Sequence, residues 1–477
     1  MRRPTVLGGI LLAAASAAAA QAPIKGADQM LAGLDAAAPA YAGVANKIWG
    51  FAEVGYHETR SSALLQDQLR AAGFTVEAGV ADIPTAFVAS WGQGKPVIAI
   101  IGEFDALPGL SQDAVPNRKA LIDGGPGHGC GHHLFGTAST AAAIAVKNWL
   151  AQRGGQGTIR FYGTPAEEGG GGKVYMVRAG LFRDVDAVVT WHPGDGNQVS
   201  KATTLANISA KFRFHGVSAH AAAAPDQGRS ALDGVEAMNA MINLMREHIP
   251  SETRIHYVIT NGGKAPNVVP DFAEVYYYAR HSDMRVLDGI WERIVAASKG
   301  AAMGTGTSVE LELVNAVYNI LPNDYLADLM HRQLTRVGGV RYDADETAFA
   351  ETVRKTLTGT LPALGSAGTV LAPEQGVSSA STDVGDVSWV VPTVQLNAAT
   401  WVPGTPAHSW QAVASGGTSI GAKGMMVAAK TMALTAAELF SDPRHLAAAR
   451  TEFTKRLGGA TYQNRVGDRP PPLDYRK

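Results

Sequence analysis

Val97-Ile98-Ala99-Ile100-Ile101-Gly102-Glu103-Phe104-Asp105 is the stretch on which the fold turns. Five apolar residues run without a polar break, and two acids follow at once. Such a run suits a strand covered on both faces. Acids at its carboxyl end suit a ligand site, because ligands in open α/β sheets gather outside the carboxyl ends of strands. The arrangement recurs. Thr158–Tyr162 runs into Ala166-Glu167-Glu168-Gly169, and Ala187–Thr190 runs into Trp191-His192-Pro193. A fourth cluster, His128-Gly129-Cys130-Gly131-His132-His133, instead precedes a long helix from Leu134. A thiolate, imidazoles and carboxylates are thus expected around one crevice, a mixture that suits a divalent metal site.

Outward from these clusters, strand and helix patterns alternate. Helices are expected at Leu31–Trp49, Arg60–Ala72, Leu134–Gln152 and Lys173–Ala179, with a strand at Thr85–Trp91. This predicts an α/β fold, a mostly parallel sheet with helices on both faces. The pattern changes near Leu205. Strands at Ile208–Phe214, Ile255–Thr260, Ala273–Arg280 and Ser308–Val314 alternate with helices at Ser230–His248 and Val286–Met303. The order β-α-β-β-α-β is that of a ferredoxin-like α+β unit. It predicts an inserted domain over 206–316, within a catalytic domain formed by 21–205 and 317–440. A polar tail, 441–477, is expected to wrap the surface or fray.

The chain has 477 residues, with 41 basic against 42 acidic side chains. That balance lacks the basic footprint of a nucleic-acid binder. Arg2 and Arg3, the apolar run Val6–Ala15 and Ala18-Ala19-Ala20 read as a signal peptide over residues 1–20. The mature protein is then expected to be exported, to the periplasm, with no membrane attachment after cleavage; an uncleaved membrane anchor is the alternative. One cysteine excludes an intrachain disulfide. A lone thiol among histidines is better read as a metal ligand, since coordination deprotonates and occupies the sulfur. There is no Gly-Lys-Ser/Thr after the glycines at 169–172, no Cys-x-x-Cys and no Gly-x-Ser-x-Gly. A P-loop, a zinc ribbon and a serine-hydrolase elbow are thereby set aside.

Cys130 and His132 sit where a helix N-terminus favours an anion. Glu168 and His192 end two strands, and His408 lies in Gly404-Thr405-Pro406-Ala407-His408 before the last long helix. Five donors exceed one zinc ion with an open position. They suit two divalent ions sharing a ligand, about 3.5–4 Å apart. Glu167, beside Glu168, is placed to take a proton from water and return it to a leaving amine.

Together these clusters resemble the M20 metallopeptidase family, in its aminoacylase and amidohydrolase branch. Gly127–His132, Ser381-Thr382-Asp383-Val384-Gly385-Asp386 and Gly404–Trp410 are similar to its aminobenzoyl-glutamate hydrolase subgroup. The resemblance implies that Cys130 bridges two ions, with His132, Glu168, His192 and His408 completing the site. It implies that Glu167 is the catalytic base and that Asp105 supports the ions from behind. It places His220, Asn267 and Arg280 on a lid, His220 at the oxyanion, often in the partner subunit's site, and Arg280 on the substrate carboxylate. Two residues depart from the branch pattern: Ala52-Glu53-Val54 replaces Pro-Glu-Leu, and His133 stands where an Asp is usual. The expected activity is hydrolysis of an N-acyl or N-aroyl amino acid, aminobenzoyl-glutamate being the best single guess. A dipeptidase, a general aminoacylase and a non-catalytic binding protein are the alternatives. Zinc is the expected ion, with manganese or cobalt as alternatives, and the expected assembly is a homodimer.

Overall fold

The computed structural model describes residues 24–476. The expected signal peptide therefore lies outside the described residues. The strands are β1 (Thr75–Ala78), β2 (Phe87–Gln93), β3 (Val97–Gly102), β4 (Gly157–Gly163), β5 (Ala187–Gly194), β6 (Gln198–Val199), β7 (Ala206–His215), β8 (Arg254–Asn261), β9 (Phe272–His281), β10 (Ser308–Val317) and β11 (Thr393–Ala399). One sheet has the order β1-β2-β4-β3-β5-β11-β6. Its four inner strands, β4-β3-β5-β11, run parallel. Its margins are antiparallel, through β1 and β2 on one side and β6 on the other. The parallel heart was legible; the two-residue β6 and the four-residue β1 are too short to carry a periodic signal.

Side chains of β3 alternate between two cores. Ile98 and Ile100 enter one, and Val97, Ala99 and Ile101 the other. The isoleucines are fully buried, and each is worth about 1.5–3 kcal/mol. Helices Ala27–Phe51, His132–Gln152 and Ser419–Ser441 cover the first face. Helix Gly172–Arg178 and residues of the C-terminal tail cover the second. Gly136 lets the helix from His132 approach the end of β3: a Cβ there would meet the Glu103 carbonyl oxygen at 2.8 Å. That close approach sets the helix start beside the strand end.

The second sheet, β10-β7-β9-β8, is antiparallel throughout, as the β-α-β-β-α-β order requires. Helices Ala231–Met245 and Met284–Thr305 bury one face of it, against Ala273, Val275, Tyr277 and Ala279 of β9. The alternate residues Tyr276, Tyr278 and Arg280 point to the other face, toward the first sheet's carboxyl ends. One edge strand, β8, is almost wholly exposed.

The tail wraps the molecule, one of its two expected courses, but begins with a helix that was not expected. Residues Pro443–Leu457 form a helix, with Asp442 as its N-cap and proline in the first turn. Ala449 and Phe453 bury its inner face. The polar composition hides this, although the Asp-Pro start is a recognisable helix signal. Beyond it the chain does not fray but returns across the molecule to the crevice.

Candidate functional site

The crevice lies where β3, β4 and β5 end. Gly131, at φ +75°, starts the helix that carries His132. A Cβ there would meet Pro193 at 2.7 Å, so glycine lets Cys130 and His132 sit against the end of β5. After β4 the chain turns at Ala166, held left-handed at φ +57°. The buried Glu58 carboxylate accepts the Ala166 N–H at 2.8 Å and the Thr85 hydroxyl at 2.9 Å. These bonds fix the turn that projects Glu167 and Glu168. His408 is also left-handed, φ +58°, and donates its N–H to the Gly129 carbonyl at 2.9 Å.

Donor atoms converge. Cys130 Sγ is 3.4 Å from His192 Nε2. His192 Nδ1 faces the Pro193 carbonyl at 2.7 Å, so the proton belongs there and Nε2 keeps its lone pair. Glu168 Oε1 is 3.2 Å from His408 Nε2. Asp105 ties the halves together: one oxygen meets His132 Nδ1 at 2.9 Å, and the other accepts the Glu168 N–H at 2.9 Å. His132 Nε2 then faces Glu103 Oε2 at 3.1 Å without a well-formed hydrogen bond. Two acceptors so placed repel unless a proton or a cation serves them.

The electrostatics point the same way. Glu58, Glu103, Asp105, Glu168 and Asp383 are buried, and Lys173, the one buried lysine among the described residues, pairs with Glu103 and Asp383. Burial would lower the His132 pKa, but Cys130, Asp105 and Glu103 outweigh it and raise it well above its usual value. Burial, with Glu103 and Glu168 adding, holds the Glu167 carboxyl well above the usual range. Burial and Asp105 push Glu58 up to about 8. Burial and the Glu168 charge push the Cys130 thiol far up. A bound cation would offset this rise, in keeping with the expectation that coordination deprotonates the sulfur.

The residues fit divalent ions. Cys130, His132 and His192 offer atoms within 4.8 Å of one another, as do Cys130, Glu168 and His408. The two groups share Cys130. Thiolate, imidazole and carboxylate are donors suited to zinc and its neighbours. A third group, Glu103, His132 and Glu167, overlaps the first.

Of the lid residues, Arg280 enters the crevice. It lines a cavity of about 300 Å³ with Glu167, His408, Asp383, Asn207 and Tyr278. His220 and Asn267 do not; they are exposed on the lid, where the Ala221 N–H meets the Asn267 carbonyl at 3.0 Å. His128 and His133 are buried core groups bonded to the Ile48 and Gly416 carbonyls. Burial lowers both, His128 to about 4. Glu58 and Lys173 received no role from the sequence, and Glu103 only a place in the acidic cluster after β3. The adjacency of Glu103 to Asp105 was the available signal; nothing local marks the other two.

Residues 99–409 match the model of peptidase family M20/M25/M40. The chain is 47% identical over 429 residues to a subunit of the p-aminobenzoyl-glutamate hydrolase of Escherichia coli, covering 84% of this chain and 89% of that protein. It is 28% identical to the Xaa-Arg dipeptidase of Mus musculus, covering 89% and 91%. Among solved structures, a dinuclear metal-binding M20 peptidase of Bacillus subtilis aligns at a TM-score of 0.59 and 17% identity, covering 85% of this chain and 99% of that one. An aminobenzoyl-glutamate utilization protein of Klebsiella pneumoniae aligns at 0.58 and 20%, covering 86% and 98%. These last two show the fold. With the converging donors, the family match and the 47% identity, the chain belongs to peptidase family M20/M25/M40 and is a metal-dependent amidohydrolase.

Proposed function

We propose that the enzyme hydrolyses the amide bond of an N-acyl or N-aroyl amino acid, with aminobenzoyl-glutamate as the first substrate to try. The observation that carries this reading is the pair of donor groups sharing Cys130 beside Glu167. Cys130 would be the shared ligand, and His132 and His192 on one side and Glu168 and His408 on the other would hold the ions. Two divalent ions, zinc by this donor set, would acidify a water and polarise the scissile carbonyl when bound. Glu167 takes the water's proton and delivers it to the leaving nitrogen. Asp105 holds His132 Nδ1 and so fixes which nitrogen is free. Arg280 binds the substrate carboxylate, in the planar two-bond manner that guanidinium favours.

His220 and Asn267 are too far out on the lid to line this chain's own cavity. In our reading they complete the site of a second copy. The exposed edge strand β8, with Tyr257, Val258 and Ile259 outward, supports a homodimer in which two such edges pair. Export to the periplasm is part of the same proposal and rests on the N-terminal pattern alone.

The test is metal content together with turnover on a panel of N-acylated amino acids and dipeptides. Stoichiometric metal with turnover of aroyl amino acids is the expected result. Turnover of dipeptides alone would favour the dipeptidase reading that the murine relative suggests. Metal loading with no turnover on any member would sink the proposal.

A further inference from the structure

The C-terminal tail is fastened along its whole course and delivers a cation to the crevice. Tyr462 Oη donates to Asp386 at 2.8 Å, and the Tyr318 hydroxyl donates to the Gln463 carbonyl at 3.0 Å. Arg178 donates to the Gly467 carbonyl at 2.9 Å and to that of Arg469. Arg465 pairs with Asp288 of the lid, and Arg469 donates to the Leu313 and Val314 carbonyls of β10. Pro470, Pro471 and Pro472 then stiffen the approach. Tyr475 donates to the Glu168 carbonyl at 3.0 Å, and its ring meets Tyr56 edge-on at 5.6 Å. The next residue, Arg476, enters the cavity that Glu167 and Arg280 line.

Arg476 is only partly used there. One nitrogen donates to the Glu168 carbonyl at 2.6 Å, and the guanidinium lies over the Tyr475 ring at 5.0 Å. Its Nε is buried without a partner. Arg280 is alike: stacked over Tyr278 at 5.3 Å, its Nε buried without a partner. Neither forms an ion pair among the described residues. A guanidinium has five donors in one plane and matches one carboxylate with two of them. Two such groups around one cavity of about 300 Å³ match two carboxylates, not one.

We propose that Arg476, carried into the crevice by the C-terminal strap, binds a second carboxylate of the substrate and selects amides of acidic amino acids. The inference rests on the amidase reading above, in which Arg280 takes the carboxylate next to the scissile bond. The side-chain carboxylate then falls to Arg476.

The experiment compares 4-aminobenzoyl-glutamate with 4-aminobenzoyl-glutamine, which differ only in that charge. Metal-loaded, full-length parent, Arg476→Gln and Arg476→Lys are each assayed. The parent should prefer the glutamate amide. Arg476→Gln should lower kcat/KM for it on the order of 30-fold, the loss of a charge-assisted contact, and leave the glutamine amide within a few-fold. Arg476→Lys should fall between. Equal losses on both amides would reduce Arg476 to a support for the Glu168 turn and overturn the proposal; so would no loss on either. Calorimetric titration with free glutamate and free glutamine adds a readout independent of turnover. If the parent hydrolyses neither amide, the amidase reading fails. Glutamate binding weakened by Arg476→Gln would then still support the contact, and unchanged binding would overturn it.

Discussion

Lys173→Met should destabilise the catalytic domain far more than an ordinary lysine substitution, and more at higher pH. Lys173 is 0% exposed. Its Nζ lies 2.7 Å from Glu103 Oε1 and 2.6 Å from Asp383 Oδ1. Burial alone would lower its pKa; Asp383 and Glu103 outweigh burial and hold it above the usual value. Methionine keeps the apolar stem and removes the ammonium that two buried carboxylates share, leaving Glu103 with His132 alone. Breaking one buried pair from one side costs about 3–5 kcal/mol. The two losses overlap, because a proton on either acid relieves both, so we expect about 3–5 kcal/mol in total at pH 7.5. The sign with pH follows from Glu103. Burial already raises its carboxyl in the folded parent, and the variant raises it further. Between the unfolded and folded values the folded state holds the extra proton, so stability is present at low pH and lost as pH rises. The variant, whose Glu103 is raised further than the parent's, should therefore recover part of its deficit between pH 7.5 and pH 5.5. Denaturant unfolding of parent and variant, at equal metal loading and at both pH values, measures this. A variant within about 1 kcal/mol of the parent, the range of a surface pair, would refute the reasoning. So would a deficit equal at both pH values.

Glu167→Gln should keep fold and metal content while kcat falls about 10²–10⁴-fold, since glutamine cannot accept the water's proton; a kcat within a few-fold of the parent would assign that role elsewhere. Cys130→Ser should lower metal content and activity together, and thiol titration should find Cys130 masked in the loaded parent and free after chelation. Full loading in the variant would remove Cys130 from the site. His220→Ala should lower kcat with metal content unchanged. Mixed with Glu167→Gln under subunit exchange, it should regain a fraction of parental activity, because one site of the mixed dimer is whole; no recovery, or a fully active monomer by sedimentation, would place His220 outside the partner's site. Asp442→Ala should cost about 1 kcal/mol through loss of the cap on helix Pro443–Leu457, and an unchanged unfolding midpoint would show that the helix contributes nothing to the cooperative core.

Much of the parallel sheet was legible because its strands are buried on both faces. Val97–Ile101 and Ala187–Val189 are then apolar throughout. The lid was legible for a different reason. Its β9 alternates half-buried and buried residues along its length, which is the period of a one-faced strand. The same alternation put Arg280 on the open face, so its presence in the crevice follows from its parity with Tyr276 and Tyr278. The donor residues were legible because each sits next to a strand end or a helix start, positions the chain marks with glycine, proline or an abrupt run of polar residues.

What escaped notice lies where the partner is distant in sequence and the residue itself is unremarkable. Lys173 opens a short helix and resembles any exposed helical lysine. Only the fold brings Asp383, 210 positions away, into contact with it. Glu58 precedes a helix like a common capping acid, yet it holds Ala166 across 108 positions. The tail is the extreme case. Its composition of arginine, proline and glycine is that of a solvated end, for which wrapping the surface and fraying are equally open expectations. Its order comes from bonds that satisfy main-chain carbonyls, those of Glu168, Leu313 and Val314, which no reading of side-chain pattern can anticipate. A buried carbonyl needs a donor wherever it comes from. Here arginines near the chain's end supply it, and that accounting is what turns a disordered-looking terminus into a wall of the crevice.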